Sequence, residues 1–177
     1  MTNEILKSET VFRGRAFKIQ HELVQRPNGP QTYDTVHHIG AVAIMPVDSD
    51  SRILFVRQYR HAARRRLLEL PAGTLEDGEP VEDTAQRELR EEVGMAPGRL
   101  TKLADFFLAP GYSTERMYIF VAEDLHPESL PGDEDEDLET ERLSLEEAFA
   151  AIHSGEIEDA KTMLGLFLYR EYLDGKE

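Results

Sequence analysis

The stretch from Gly73 to Met95, GTLEDGEPVEDTAQRELREEVGM, limits what this chain can fold into more than any other part of it. A glycine-punctuated loop, Gly73-Thr-Leu-Glu-Asp-Gly78, gives way to a helix whose last two turns read Arg87-Glu88-Leu89-Arg90-Glu91-Glu92. Gly94 follows, where helices commonly end in a left-handed residue. Ala85, Leu89 and Val93 recur at helical spacing and must be buried against something else. Glu88 and Glu92 stack on a different face, with Glu91 beside them. Like charges at that spacing repel by a few tenths of a kcal/mol per pair, so the stripe calls for a cation. A solvated acidic face is the ordinary alternative.

The rest of the chain supplies the layers that such a helix needs. Phe17 to Gln25 and Gln31 to His38 are strand-like and flank an Asn-Gly turn, Arg26-Pro-Asn-Gly29, which predicts a β-hairpin; residues 9–14 are also strand-like. Gly40 to Pro46 is nearly all apolar and reads as a strand covered on both faces. Further strands are expected over 52–60, 67–71, 100–108, 117–122 and 138–143. Ser144-Leu-Glu-Glu147 is a capping box that opens a helix to about His153. A last helix over 159–173 carries Met163, Leu164, Phe167, Leu168 and Tyr172 as its expected buried stripe. This order predicts an α/β class fold, an α/β/α sandwich around a mixed sheet, with an N-terminal β-hairpin element. The expected division is residues 1–38 for the N-terminal strands and 39–177 for the main domain.

Charge narrows the partners. A net charge of −15 argues against nucleic-acid backbones and anionic membranes, both of which need a positive surface. An anionic small substrate would need metal ions or a local arginine cluster. Without cysteine there is neither a disulfide framework nor a thiolate metal site. No apolar run approaches the roughly 20 residues that span a bilayer, and the N-terminus has no apolar signal core, so the expected setting is soluble and cytoplasmic.

Grouped carboxylates without His or Cys select hard cations, Mg²⁺ or, in its place, Mn²⁺. Mg²⁺ keeps several waters and bridges a few carboxylates to substrate phosphates. The chemistry indicated is metal-assisted hydrolysis at phosphorus. Gly73, Glu79, Arg87-Glu88-Leu89, Glu91-Glu92, Gly94 and Met95 together satisfy every fixed position of the Nudix box. Leu70-Pro-Ala-Gly73, Arg57-Gln-Tyr-Arg60 and Ala109-Pro-Gly-Tyr-Ser-Thr-Glu115 resemble the ADP-ribose pyrophosphatase branch of that family, as does Pro110 lying 15 residues beyond Met95.

That resemblance implies a set of roles. Glu88, Glu91, Glu92 and the Ala72 carbonyl would be metal ligands for two or three ions, with Arg87 orienting the glutamates. Glu136, on the acidic loop Pro131–Asp137, would be the general base; Glu134, Asp135 and Asp137 beside it have the same chemistry. Arg60 and Arg57 would face the diphosphate. Ala109, Pro110, Gly111 and Glu115 would line the distal ribose. Members of the branch are homodimers joined through their N-terminal strands, which makes Phe17, Tyr33, Asp34 and His38 candidates for the adenosine end. Arg64-Arg-Arg66 reads as a basic patch or a set of surface ion pairs. The implied substrate is a nucleoside diphosphate sugar, ADP-ribose plus water giving AMP and ribose 5-phosphate. The alternatives are another diphosphate such as GDP-mannose, an oxidised nucleotide, or a non-catalytic nucleotide-binding module.

Overall fold

The computed structural model describes residues 3–132 and 137–176. Its centre is β4 (Ala41–Pro46), whose six residues are all buried, as expected for a strand covered on both faces. Val42 and Ile44 point one way, onto Ala85 and Leu89 of helix α1 (Val81–Glu92). Ala41, Ala43 and Met45 point the other way, toward helix α3 (Ala160–Asp174): Met45 shares a cluster with Leu166 and Tyr169, and Leu168 packs beside Ala41 and Ala43. The period of two along the strand therefore divides the core into two layers. This is the α/β/α sandwich expected.

β4 sits inside a four-stranded mixed sheet. It pairs in parallel with β9 (Arg116–Pro127), which pairs antiparallel with the long β8 (Met95–Phe107). On its other side β4 takes a short antiparallel strand, β7 (Ala72–Thr74), within the stretch expected to be loop. β5 (Ile53–Arg60), β6 (Arg65–Glu69) and β10 (Glu139–Leu143) form a second, antiparallel sheet in the order β10-β5-β6. Helix α2 (Leu145–Ser154) begins at the expected capping box: Glu147 N–H donates to Ser144 Oγ at 3.2 Å, and Ser144 N–H donates to Glu147 Oε2 at 2.7 Å. No helix among the described residues is long and apolar enough to cross a membrane.

The buried face of α3 differs from the expected stripe. Thr162, Gly165, Leu166 and Tyr169 are buried, whereas Leu164 and Phe167 are exposed. The reason is a close approach. A Cβ on Gly165 would come within 2.7 Å of Leu70 Cδ1, so the helix packs through its smallest residue. Thr162 pins the same face: its Oγ1 accepts from Leu70 N–H at 2.9 Å and donates to the N-cap Asp159 at 2.6 Å. Apolar periodicity alone missed a face marked by Thr and Gly.

The N-terminal hairpin of β2 (Phe17–Val24) and β3 (Gln31–His38) is extended by β1 (Ile5–Arg13) into a three-stranded antiparallel sheet. β3 is stitched to the loop before β9. Val36 N–H donates to the Tyr112 carbonyl at 2.8 Å, Thr114 N–H donates to the Val36 carbonyl at 2.9 Å, and His38 N–H donates to Thr114 Oγ1 at 3.1 Å. Ile5, Leu6, Val11 and Phe12 of β1 remain exposed.

Candidate active site

Helix α1 is held in place by its apolar row and by charges suited to its dipole, Glu82 and Asp83 in the first turn and Arg90 in the last. Gly94 follows the last turn at φ +72°, the left-handed conformation expected there. The acidic stripe is therefore fixed in direction by packing on the opposite side.

Arg87 organises the stripe. Its Nε and Nη2 donate to Glu79 at 3.3 and 3.2 Å, and its Nη1 donates to Glu88 at 2.7 Å and to Glu91 at 3.0 Å. Burial alone would pull the guanidinium pKa down, but the Glu79 hydrogen bonds and the Glu88 charge outweigh it and raise it. In return Arg87 holds the Glu79 carboxyl below the usual carboxylate range, helped by Thr84 Oγ1, which donates to Glu79 at 2.7 Å. One cation thus ties three carboxylates together.

Glu92 is only 7% exposed, and its Oε2 accepts from Ala72 N–H at 3.1 Å. In an extended residue the N–H and C=O point to the same side, so the Ala72 carbonyl is also turned toward the glutamates. Next to it, a Cβ on Gly73 would fall inside the Glu88 carboxyl group. Gly73 is therefore a space requirement. We expect Gly73→Ala to lower kcat about 100-fold by displacing Glu88, a cost typical of misplacing a catalytic group by about an ångström. Steady-state kinetics on a variant with an unchanged circular dichroism spectrum would check this; near wild-type turnover would contradict it.

The donor set around α1 is entirely oxygen, from Glu88, Glu91, Glu92 and the Ala72 carbonyl, which suits a hard divalent cation. Among the described residues, no three His, Cys, Asp or Glu side chains are already gathered as a metal cage.

Two adjoining depressions meet at this site and share Arg60, Ala72, Gly73 and Thr74. The first, about 430 Å³, reaches Arg87, Glu88 and Glu91. The second, about 290 Å³, reaches His38, Glu115, Asp159 and Lys161. Between them Arg60 is gripped by Glu69, which is 1% exposed: Nε donates to Oε1 at 2.9 Å and Nη2 to Oε2 at 2.8 Å. Lys161 also donates to Glu69 Oε2, and it pairs with Asp159 at 2.9 Å. Burial would raise the Glu69 pKa, but the Arg60 hydrogen bonds and the nearby Lys161 charge hold it below the usual range. Glu69, Asp159 and Lys161 were not expected at the site. The available signal was an acid inside the apolar run Leu67-Leu-Glu-Leu70, since a buried charge requires partners.

The remaining expected residues separate into groups. Arg60, His38 and Glu115 line the second depression. Ala109, Pro110 and Gly111 lie on the loop leading to Glu115 but are absent from the walls of both depressions; the Ala109 carbonyl accepts from Ser113 N–H at 2.9 Å. Phe17 faces a neighbouring groove of about 510 Å³ that it shares with His38. Tyr33 and Asp34 lie farther back along β3, more than about 13 Å from His38 at strand spacing, and Asp34 is paired with His21 at 2.7 Å. Arg57 is placed away from the cleft, bonded to Glu141 and to Glu156, the latter at 2.7 Å. Arg65 and Arg66 form surface ion pairs, Arg65 with Glu158 and Arg66 with Glu139 and Asp137. Glu136, with Glu134 and Asp135, lies outside the described residues; Asp137 is bonded to Arg66 at 2.7 Å.

A family model described as the NUDIX domain matches residues 36–165. The chain is 37% identical over 180 residues to the ADP-ribose pyrophosphatase of Bacillus subtilis (strain 168), covering 100% of this chain and 95% of that protein. It is 37% identical over 164 residues to the methanol dehydrogenase activator of Bacillus methanolicus, covering 91% and 89%. A crystal structure of an ADP compounds hydrolase superposes with a TM-score of 0.88 at 34% identity, covering 99% of this chain and 96% of that one.

Proposed function

The chain belongs to the Nudix family of hydrolases, and we propose that it cleaves the pyrophosphate of ADP-ribose with water to give AMP and ribose 5-phosphate. The observation that carries this is the continuity of the cleft. The carboxylates of Glu88 and Glu91 at one end run through Arg60 into a depression that ends at Glu115 and Lys161.

Glu88, Glu91, Glu92 and the Ala72 carbonyl would hold Mg²⁺, or Mn²⁺ in its place. When bound, the metal supplies charge neutralisation of the diphosphate and lowers the pKa of a coordinated water. Arg87 keeps Glu88 and Glu91 turned toward the cleft. Arg60 contributes the nearest free guanidinium edge to a diphosphate lying across Ala72–Thr74. Glu136 is the proposed proton acceptor, close in sequence to Asp137, which Arg66 fixes beside β6. The 39–177 unit would carry this chemistry, and the strands of 1–38 would join two copies in a homodimer. The exposed Ile5, Leu6, Val11 and Phe12 support the second point, since apolar side chains gathered on one strand mark an interaction surface. A partner's strands could then bring residues such as Phe17 to the adenosine end.

An assay of ADP-ribose, GDP-mannose and a pyridine dinucleotide, each with Mg²⁺ and with EDTA, tests this reading. We expect AMP from ADP-ribose with Mg²⁺ and none with EDTA. Hydrolysis of GDP-mannose but not ADP-ribose would overturn the substrate. The name of the superposed structure, a hydrolase of ADP compounds, favours a second reading in which another ADP-containing compound is preferred. Faster turnover of the dinucleotide would select it.

A further inference from the structure

Glu69 is buried and Lys161 and Asp159 largely so, while the Arg60 side chain is 39% exposed. Withdrawing such charges from water is costly, and packed apolar residues of similar volume are often as stable or more so. Glu69, Arg60, Lys161 and Asp159 nevertheless form an alternating chain of charges at the cleft wall, linking β5, β6 and the start of α3. Its geometry is specific. Glu69 takes two of the three guanidinium nitrogens of Arg60, Nε and Nη2, in a bidentate fork. A planar guanidinium held along that edge must present Nη1 on the opposite side. Arg60 lines both depressions where they meet. Lys161 bonds the same Glu69 oxygen that receives Arg60 Nη2, and pairs with Asp159 at 2.9 Å.

We infer that Glu69 and Lys161 are positioning residues for the diphosphate: together they lock Arg60 so that its free Nη1 edge faces the substrate, and neither needs to touch the substrate. Glu69 sets the plane of the guanidinium. Lys161 keeps the Glu69 carboxylate from rotating, because an oxygen shared between two cations has one favourable orientation. The fork also spares the substrate the entropy of ordering a long arginine side chain, which is the general benefit of preorganisation. The inference rests on the ADP-ribose reading of this cleft.

The test is a double-mutant cycle on binding, which is separate from catalysis. The probe is the methylene-bridged analogue of ADP-ribose, titrated calorimetrically in Mg²⁺. Lys161→Met should weaken binding about tenfold, the scale of one charge-assisted hydrogen bond, and Lys161→Arg should recover most of it. In an Arg60→Ala background the same Lys161→Met change should have less than about a twofold effect, because nothing remains to be positioned. Glu69→Gln should behave in the same way. If it unfolds, the Lys161 variants still decide, since they leave Glu69 and Arg60 paired. Equal losses in both backgrounds, or no loss in either, would overturn the inference even in an enzyme that hydrolyses ADP-ribose. A wild-type protein that neither hydrolyses ADP-ribose nor binds the analogue would overturn the functional reading and this inference with it.

Discussion

Replacing Glu92 with Gln is expected to lower kcat by about 10²–10³-fold while leaving the fold intact, a loss of the size seen when one preorganised electrostatic contact to a transition state is removed. The side chain is nearly the same shape, and its carbonyl oxygen can still accept the Ala72 N–H that Glu92 accepts at 3.1 Å. The charge is lost. A carboxylate that is 7% exposed beside the turned Ala72 carbonyl has an evident use if a cation shares the space. Its neutral replacement would keep the packing and lose the ion. Thermal unfolding should move by no more than about 4 °C, corresponding to about 1 kcal/mol or less. Near wild-type kcat in Mg²⁺ would remove Glu92 from the metal site.

The largest stability effect is expected at Glu69. Glu69→Ala leaves Lys161 and Arg60 without the carboxylate they share; because the Arg60 side chain is 39% exposed, the cost is below that of a fully buried pair, about 2–3 kcal/mol. For a chain of this size that is a fall in Tm of roughly 4–12 °C at pH 7. The pH dependence has a definite sign. The folded-state pKa of Glu69 is depressed, so its contribution is fully present above the unfolded carboxylate value of about 4.3 and is lost as pH falls through the folded value. The gap in stability between wild type and variant should therefore begin to narrow as pH falls below about 4.3 and close once the folded carboxyl is protonated, where both cations meet an uncharged or absent partner. A variant as stable as wild type at neutral pH would show that the network contributes little.

The helix with its acidic stripe, the glycine at its end, the Ser144 cap and the doubly covered strand β4 were all legible in the sequence because each rests on local chemistry. What escaped depends on which surfaces meet. The inward face of α3 is set by the close contact of Gly165 with Leu70, and a missing side chain leaves no apolar signal. The short strand β7 has only three residues, too few for a period of two to show. Arg57 and Arg60 both looked like diphosphate contacts. They are three apart on β5, so their side chains leave opposite faces, and only Arg60 reaches the cleft. Glu69 was passed over as part of an apolar strand, although its charge there was the stronger clue. Tyr33 and Asp34 illustrate a different limit, because strand spacing along β3 sets them more than about 13 Å from His38 and the cleft.

The measurement closest to the central claim is hydrolysis of ADP-ribose in ¹⁸O-labelled water with Mg²⁺, with products identified by mass spectrometry. The account predicts AMP and ribose 5-phosphate in equal amounts, one of them carrying a single ¹⁸O on its phosphate, and no product when EDTA is present. ADP and free ribose, or turnover unaffected by EDTA, would contradict it.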